Sequence, residues 1–177
     1  MLTFILLGIL LLYSVVLLFV ISSAFWAFVV TRVPFVPTPS KDIKALIQHL
    51  SLSPGDQILD VGSGNGRVVF LFEEQSEARV RGIESGRWMH YTALINKKLK
   101  KSSAEFFRGN FFRKNWSEVS VLYCYLYPPL MKSIGEKARG EMKPGSRVVS
   151  RDFPIPNLRL VDTLHMDAKH EFYIYEI

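Results

Sequence analysis

The chain has 177 residues, 22 Lys and Arg against 16 Asp and Glu, a formal net charge of +6 and a single cysteine. Cys124 has no partner within the chain, which excludes an intrachain disulfide framework and is compatible with a reducing compartment. The four histidines, at positions 49, 90, 165 and 170, lack metal-ligand spacing, and no internal repeat or low-complexity tract interrupts a length that suits one domain plus an appendage.

Met1 to Val30 carry no charged side chain, and the first charge is Arg32. A run of more than about 18 apolar residues reads as a transmembrane helix. As a helix, Leu2 to Val30 would be ~43 Å long at ~1.5 Å per residue, against a hydrocarbon core of ~30 Å. Phe25, Trp26 and Phe28 lie near one end, where an aromatic belt is expected. A secretory signal peptide has a basic n-region and an apolar stretch of about 7–15 residues. Here the n-region is absent and the stretch is longer, so residues 1–32 are expected to form an uncleaved anchor. Arg32, Lys41 and Lys44 follow it and nothing basic precedes it. The positive-inside rule then places the rest of the chain in the cytoplasm or an equivalent compartment such as the mitochondrial matrix. The whole net charge belongs to that part. A basic domain tethered to a bilayer sits against anionic lipid; acidic partners, including nucleic acid, are the alternative.

Residues 33–40, Val-Pro-Phe-Val-Pro-Thr-Pro-Ser, form a proline-stiffened connector. It reaches at most about 25 Å at ~3.1 Å per residue. Phe35 and Val36 are apolar for a solvated linker and are expected to pack on the domain, residues 41–177. Ser40 suits a helix cap, and Ile43, Leu46, Ile47 and Leu50 give one apolar helical face. After the turn Ser53-Pro54-Gly55-Asp56, Ile58 to Val61 read as a strand and Arg67 to Gln75 as a helix, with Val68 to Phe72 apolar all round.

Between these two elements lies the loop Gly62-Ser63-Gly64-Asn65-Gly66, with Asp60 two residues ahead. A dinucleotide loop is G-x-G-x-x-G, which would need glycine at position 67, where Arg stands. The pattern here, D-x-G-x-G-x-G, resembles motif I of the class I (seven-strand) S-adenosylmethionine-dependent methyltransferases. A pyrophosphate favours bare amides at a helix N-terminus. S-adenosylmethionine instead carries an ammonium and a sulfonium, which an acid beside the loop suits. The alternative is an ordinary glycine-rich βα turn. Arg79 to Glu84 read as a second strand. Glu84 stands at its carboxyl end, about 20 residues past the glycines, where an acid accepts hydrogen bonds from a ribose diol or is a plain surface glutamate.

Arg87 to Lys101 read as an amphipathic helix with Trp88, Tyr91, Ile95 and Leu99 facing the sheet and Lys97, Lys98, Lys100 and Lys101 in the last turn. Glu105 to Gly109 are a third strand, followed by Asn110. Val119 to Tyr127 are nearly continuously apolar, as a central parallel strand is. Pro128 and Pro129 open a helix carrying Leu130, Ile134 and Ala138, and Lys143-Pro144-Gly145 ends it. Arg147 to Phe153 are a fifth strand; Leu158 to His165 and Phe172 to Ile177 form a closing hairpin. This alternation predicts an α/β fold with a mostly parallel seven-stranded sheet, helices on both faces and a C-terminal antiparallel hairpin.

The order anchor, Pro-Phe-Val-Pro-Thr-Pro, helix, Leu-Asp-Val-Gly-Ser-Gly-Asn-Gly-Arg, Gly-Ile-Glu, together with the late segment Arg151-Asp152-Phe153-Pro154-Ile155-Pro156, resembles one family. These are the small membrane-anchored lysine methyltransferases of mitochondria and their prokaryotic relatives, whose mitochondrial members modify the ADP/ATP carrier and the ATP synthase c subunit. The resemblance implies a minimal Rossmann-like methyltransferase domain behind a transmembrane helix. It implies S-adenosyl-L-methionine as cofactor, held by Asp60, Gly62, Ser63, Gly64, Gly66 and Glu84. It implies a lysine of a membrane protein as acceptor, and it places Thr38 and Phe35 near the mouth of the active site. Asn110 stands where such enzymes often carry an Asp on the adenine amino group, and its carbonyl offers the same bond. With no transit peptide ahead of the anchor, a prokaryotic membrane is favoured.

Methyl transfer is an in-line displacement, so the protein supplies positioning and a deprotonated amine. Tyr125 and Tyr127 stand beside the expected methyl, to orient the amine or simply to serve as core and rim aromatics. Tyr127-Pro128-Pro129-Leu130 is reminiscent of the Asn/Asp-Pro-Pro-Tyr of amino-group methyltransferases, without the planar amide or the stacking ring. Action on nucleic acid, a lipid or a small molecule competes with the lysine reading, as does S-adenosylmethionine binding without catalysis.

Overall fold

The computed structural model describes residues 2–31 and 37–177, with side chains for residues 3–23 and 37–177. The belt expected at Phe25, Trp26 and Phe28 and the packing expected of Phe35 and Val36 lie outside the described residues. The chain divides into two compact units, Met1–Val36 and Pro37–Ile177.

The first unit is one helix, α1 (Leu2–Thr31), whose stretch Thr3–Ser23 is long and apolar enough to cross a membrane. Its described side chains are all exposed. Three serines that would otherwise place free hydroxyls among the apolar side chains turn back on the helix. Ser14 Oγ donates to the Leu10 carbonyl (2.8 Å), Ser22 Oγ to Phe19 (3.0 Å) and Ser23 Oγ to Val20 (2.8 Å).

The second unit alternates helices and strands: α2 (Ser40–Leu50), β1 (Gln57–Val61), α3 (Arg67–Gln75), β2 (Arg79–Glu84), α4 (Arg87–Lys100), β3 (Glu105–Arg108), β4 (Val121–Cys124), α5 (Met131–Glu141), β5 (Arg147–Arg151), β6 (Arg159–His165) and β7 (Glu171–Glu176). The strands form one seven-stranded sheet in the order β3-β2-β1-β4-β5-β7-β6. The first five are parallel, and β7 pairs antiparallel with β5 and β6, as the hairpin pattern predicts. Period-two alternation sends Ile58, Val121, Tyr123 and Val149 to one face, under Ile43, Leu46 and Leu50 of α2 and Val69 and Phe72 of α3. Leu59, Val61, Leu122, Cys124 and Val148 go to the other, against Ile134 and Ala138 of α5.

Three local expectations are corrected. Trp88, Tyr91, Ile95 and Leu99 do not face the sheet; α4 buries His90 and Ala93 instead. Ala93 is small enough to let the helix axis approach the sheet, and the large side chains are left on the outside. Ser40 is the first residue of α2 rather than its cap, and its hydroxyl accepts from the Arg67 guanidinium at 2.9 Å. β4 is shorter than the apolar run Val119 to Tyr127 because its ladder with β1 ends at the pair Val61 and Cys124, where the glycine loop leaves the sheet. A 3-10 turn over Pro128–Leu130 then leads into α5.

Candidate active site

The register aligns Val61 with Cys124 and Cys124 with Ser150, so the chain leaves β1, β4 and β5 at the same edge of the sheet. Around β1 the strand order reverses direction, which in an open α/β sheet creates a crevice beyond the carboxyl ends.

The glycine loop lines that crevice. Gly62, Gly64 and Gly66 have φ of 82°, 55° and 83°, the left-handed region that other residues enter at a cost. Gly62 and Ser63 donate their backbone N–H groups to the Ile83 carbonyl at 2.8 and 3.1 Å, which ties the loop to the end of β2. A Cβ on Gly62 would stand 2.6 Å from Leu126 Cδ2, inside contact distance. Glu84 completes the tie, accepting from the Gly64 N–H at 2.9 Å and from the Gly86 N–H. Two residues sit beneath. Ser63 Oγ is buried with no hydrogen-bond partner among the described residues. Asp60 is 3% exposed; burial, and then the nearby charge of Glu84, push its carboxyl up to about 8. Such a carboxyl is largely protonated near neutrality and favours a ligand that brings a positive charge. Asn110 stands just past β3, where its side-chain oxygen accepts from the Phe112 N–H at 2.9 Å.

The second cluster lies where β4 and β5 end under the start of α2. Thr38, itself buried, shares a 3.2 Å hydrogen bond with the buried Tyr123 hydroxyl. Arg151, the last residue of β5, is 2% exposed and donates from one terminal nitrogen to Asp42 Oδ2 at 2.8 Å; its other terminal nitrogen has no partner among the described residues. The guanidinium also lies 5.6 Å from the Tyr125 ring centre and 5.1 Å from that of Phe172. Tyr125 is half-buried and stacks on Phe153 with ring centres 6.1 Å apart. Burial first, and then the neighbouring Asp152 carboxylate, hold its hydroxyl above the usual tyrosine range, so it stays a neutral phenol at neutral pH. Asp152 has φ of 60°, and its carboxylate meets His170 Nδ1 at 3.1 Å and the Glu171 N–H at 3.2 Å. Non-glycine residues held in that region cost energy and gather at functional sites.

Asp60, Gly62, Ser63, Gly64, Gly66 and Glu84 thus come together at one end of β1, and Thr38 and Tyr125 flank the second cluster. Tyr127, 51% exposed, precedes Pro128, and its side chain has no hydrogen bond among the described residues. Sequence patterns assign no role to Asp42, Tyr123, Arg151 or Asp152. Their signal is present in part: Arg151 and Asp152 open the Arg-Asp-Phe-Pro-Ile-Pro segment, and Asp42 is an acid on the buried side of an amphipathic helix.

Residues 60–162, more than half of the chain, match the family model of the ANTKMT methyltransferase domain. Over 154 residues the chain is 29% identical to a protein-lysine N-methyltransferase of Saccharolobus islandicus (strain REY15A), covering 84% of this chain and 96% of that protein. It is 28% identical over 130 residues to the adenine nucleotide translocase lysine N-methyltransferase of Mus musculus, covering 71% of this chain and 55% of the mouse protein, so it spans about half the length of that relative. The crystal structure of an RNA methyltransferase from Salinibacter ruber in complex with S-adenosyl-L-homocysteine superposes with a TM-score of 0.75 at 28% identity, covering 80% of this chain and 94% of that one.

Proposed function

This chain belongs to the ANTKMT methyltransferase domain family, and from that premise we propose that it methylates a lysine side chain of a membrane protein, working from the bilayer to which its N-terminal helix anchors it. That it is an S-adenosylmethionine-dependent protein-lysine methyltransferase follows from the family and its named relatives. The finer reading, the membrane-protein acceptor and the anchor, is supported by the apolar span Thr3–Ser23, by the short connector and by a relative named for a lysine of the adenine nucleotide translocase. The observation that carries the site assignment is the buried Asp60 carboxyl beneath the glycine loop.

The residues of the loop fit the cofactor: a cation answers Asp60, the bare Gly62 and Gly64 backbone admits close approach, and Ser63 Oγ has an unused hydrogen-bonding capacity. S-adenosylmethionine supplies an electrophilic methyl on a sulfonium. In this reading Asp60 would hold the ammonium, Glu84 would accept from the ribose hydroxyls with lone pairs its two backbone donors leave free, and Asn110 would serve the adenine. The chain's task toward the acceptor is to present a neutral amine in line. Tyr125 does this as a neutral phenol. Its hydroxyl oxygen would accept an N–H of the lysine and so would orient the nitrogen lone pair for transfer. Arg151 and Asp42 hold the wall against which Tyr125 rests, and Thr38 fixes Tyr123 below it. Tyr127 is assigned to the rim.

The test is transfer of tritiated methyl from S-adenosylmethionine by the purified full-length protein onto its own membrane fraction, followed by mass spectrometry of the labelled band. Methyl-lysine on an integral membrane protein is the expected product. Label on nucleic acid, the substrate class in the name of the Salinibacter ruber structure, on lipid or on a soluble metabolite would refute the acceptor assignment; saturable cofactor binding with no product would refute turnover.

A further inference from the structure

Helix α4 carries a surface the methyltransferase chemistry does not use. Trp88, Tyr91, Ile95 and Leu99 recur every three to four residues on one stripe and are 78%, 51%, 61% and 77% exposed. The buried side, His90 and Ala93, already satisfies the contact with β2 and β3. Residues 87–101 contain no acidic side chain; Arg87, Lys97, Lys98, Lys100 and Lys101 flank the stripe, and only Lys100 is paired among the described residues, with Glu74 at 3.0 Å. An exposed apolar stripe of this size marks a docking surface rather than chance exposure.

We propose that α4 lies in the headgroup layer of an anionic bilayer, as a second, reversible membrane contact beside the N-terminal anchor. Three observations select lipid over other occupants. An amphipathic helix with aromatic and aliphatic residues on one side and lysines on the other is built for the interface plane. Trp and Tyr prefer the headgroup level, where their polar edges stay wet. The uninterrupted positive charge is complementary to anionic lipid and opposes a second copy of the same helix, which would bring lysines against lysines. The proposal rests on the anchor reading, since residues 1–31 are what bring the domain to a bilayer. Its consequence is orientation: a contact made by α4 itself fixes which face of the domain meets the bilayer.

The full-length chain has three tryptophans, Trp26 in the anchor, Trp88 on α4 and Trp116, which is fully buried in the core. A Trp26→Phe variant therefore reports α4 against a constant background, and a Trp88→Phe variant reports the anchor. Each is placed in phosphatidylcholine nanodiscs, with or without phosphatidylglycerol, whose acyl chains are brominated. Trp88 emission should fall by about half in the anionic discs, as expected at an insertion depth of about 5–10 Å, and recover with added salt. Adding Ile95→Gln and Leu99→Gln should remove the quenching without changing S-adenosylhomocysteine affinity. Quenching of Trp26 but not Trp88 would overturn the α4 contact and leave the anchor standing; quenching of neither would remove the anchor as well. A Trp88 signal that follows the number of copies per disc rather than lipid bromination would show self-association and refute the lipid assignment.

Discussion

At position 60 a carboxyl stands where water does not reach, and its protonation should be visible in solution. Its folded value of about 8 lies above the ordinary 3.8, so between those limits the folded chain holds a proton that the unfolded chain has released. The stability of the unliganded protein should therefore fall as pH rises from about 4 to about 8 and level off above, a slope that Asp60→Asn should remove in urea titrations. A cofactor ammonium favours the ionised carboxylate, so binding at pH 7 should expel close to one proton. Affinity should rise by about tenfold per pH unit until about pH 8. Calorimetry in buffers of different ionisation enthalpy measures both, and an affinity independent of pH would separate Asp60 from the cofactor. Gly62→Val should abolish binding and cost roughly 2 kcal/mol or more of stability, because its φ is 82° and its Cβ would meet Leu126 at 2.6 Å. Tyr125→Phe should leave cofactor affinity intact and lower kcat about 10²-fold, the usual cost of a misplaced reactant. Tyr127→Phe, at an exposed position, should do much less, and the reverse ranking would exchange their roles.

Among the elements, α2 is fastened to the sheet by a buried ion pair, Asp42 with Arg151, whose side chains are both nearly inaccessible, and at the surface by His49 with Asp162 at 2.7 Å. Removing Asp42 leaves the buried Arg151 guanidinium with Asp152 alone, 3.6 Å from its Nε. Asp42→Ala should therefore cost about 3 kcal/mol, the low end for breaking a buried pair, and loosen Tyr125 with it, seen as a lower urea midpoint and a lower kcat together. Helix α4 turns its large side chains outward for a reason its period does not carry. Periodicity shows that Trp88, Tyr91, Ile95 and Leu99 share a stripe, but a stripe facing a core and one facing outward have the same period. The helix packs through Ala93 because a small residue permits close approach, a choice made by the sheet beneath it rather than by the helix itself.

For the whole molecule, the decisive comparison is between the full chain and one beginning at Pro37. The shorter protein keeps the complete seven-stranded sheet and the glycine loop, and it should bind S-adenosylhomocysteine as tightly as the full chain. On alkaline carbonate washing it should be released while the full chain is expected to stay in the pellet, and it should methylate membrane-bound targets poorly. A tether would supply an effective concentration that weak docking cannot. Equal methylation by both chains would remove the anchor from the mechanism.

Whatever rests on near neighbours in the chain is legible before the chain folds. Strand and helix periods named nearly every element, the three glycines marked a loop in which every second residue takes φ above zero, and Asp60 and Glu84 are legible because each stands at the carboxyl end of a strand at a set distance from that loop. Tertiary structure alone decided what meets across the sheet. Arg151 reaches Asp42 from 109 residues away, and Thr38 reaches Tyr123 from 85. Parallel crossovers bring the ends of β1, β4 and β5 side by side, and no pattern in any one of those strands records its neighbours. The cluster of Thr38, Asp42, Tyr123, Tyr125, Arg151 and Asp152 exists only once the strand order is set, because its members are spread over more than a hundred residues and touch through side chains rather than through local backbone geometry.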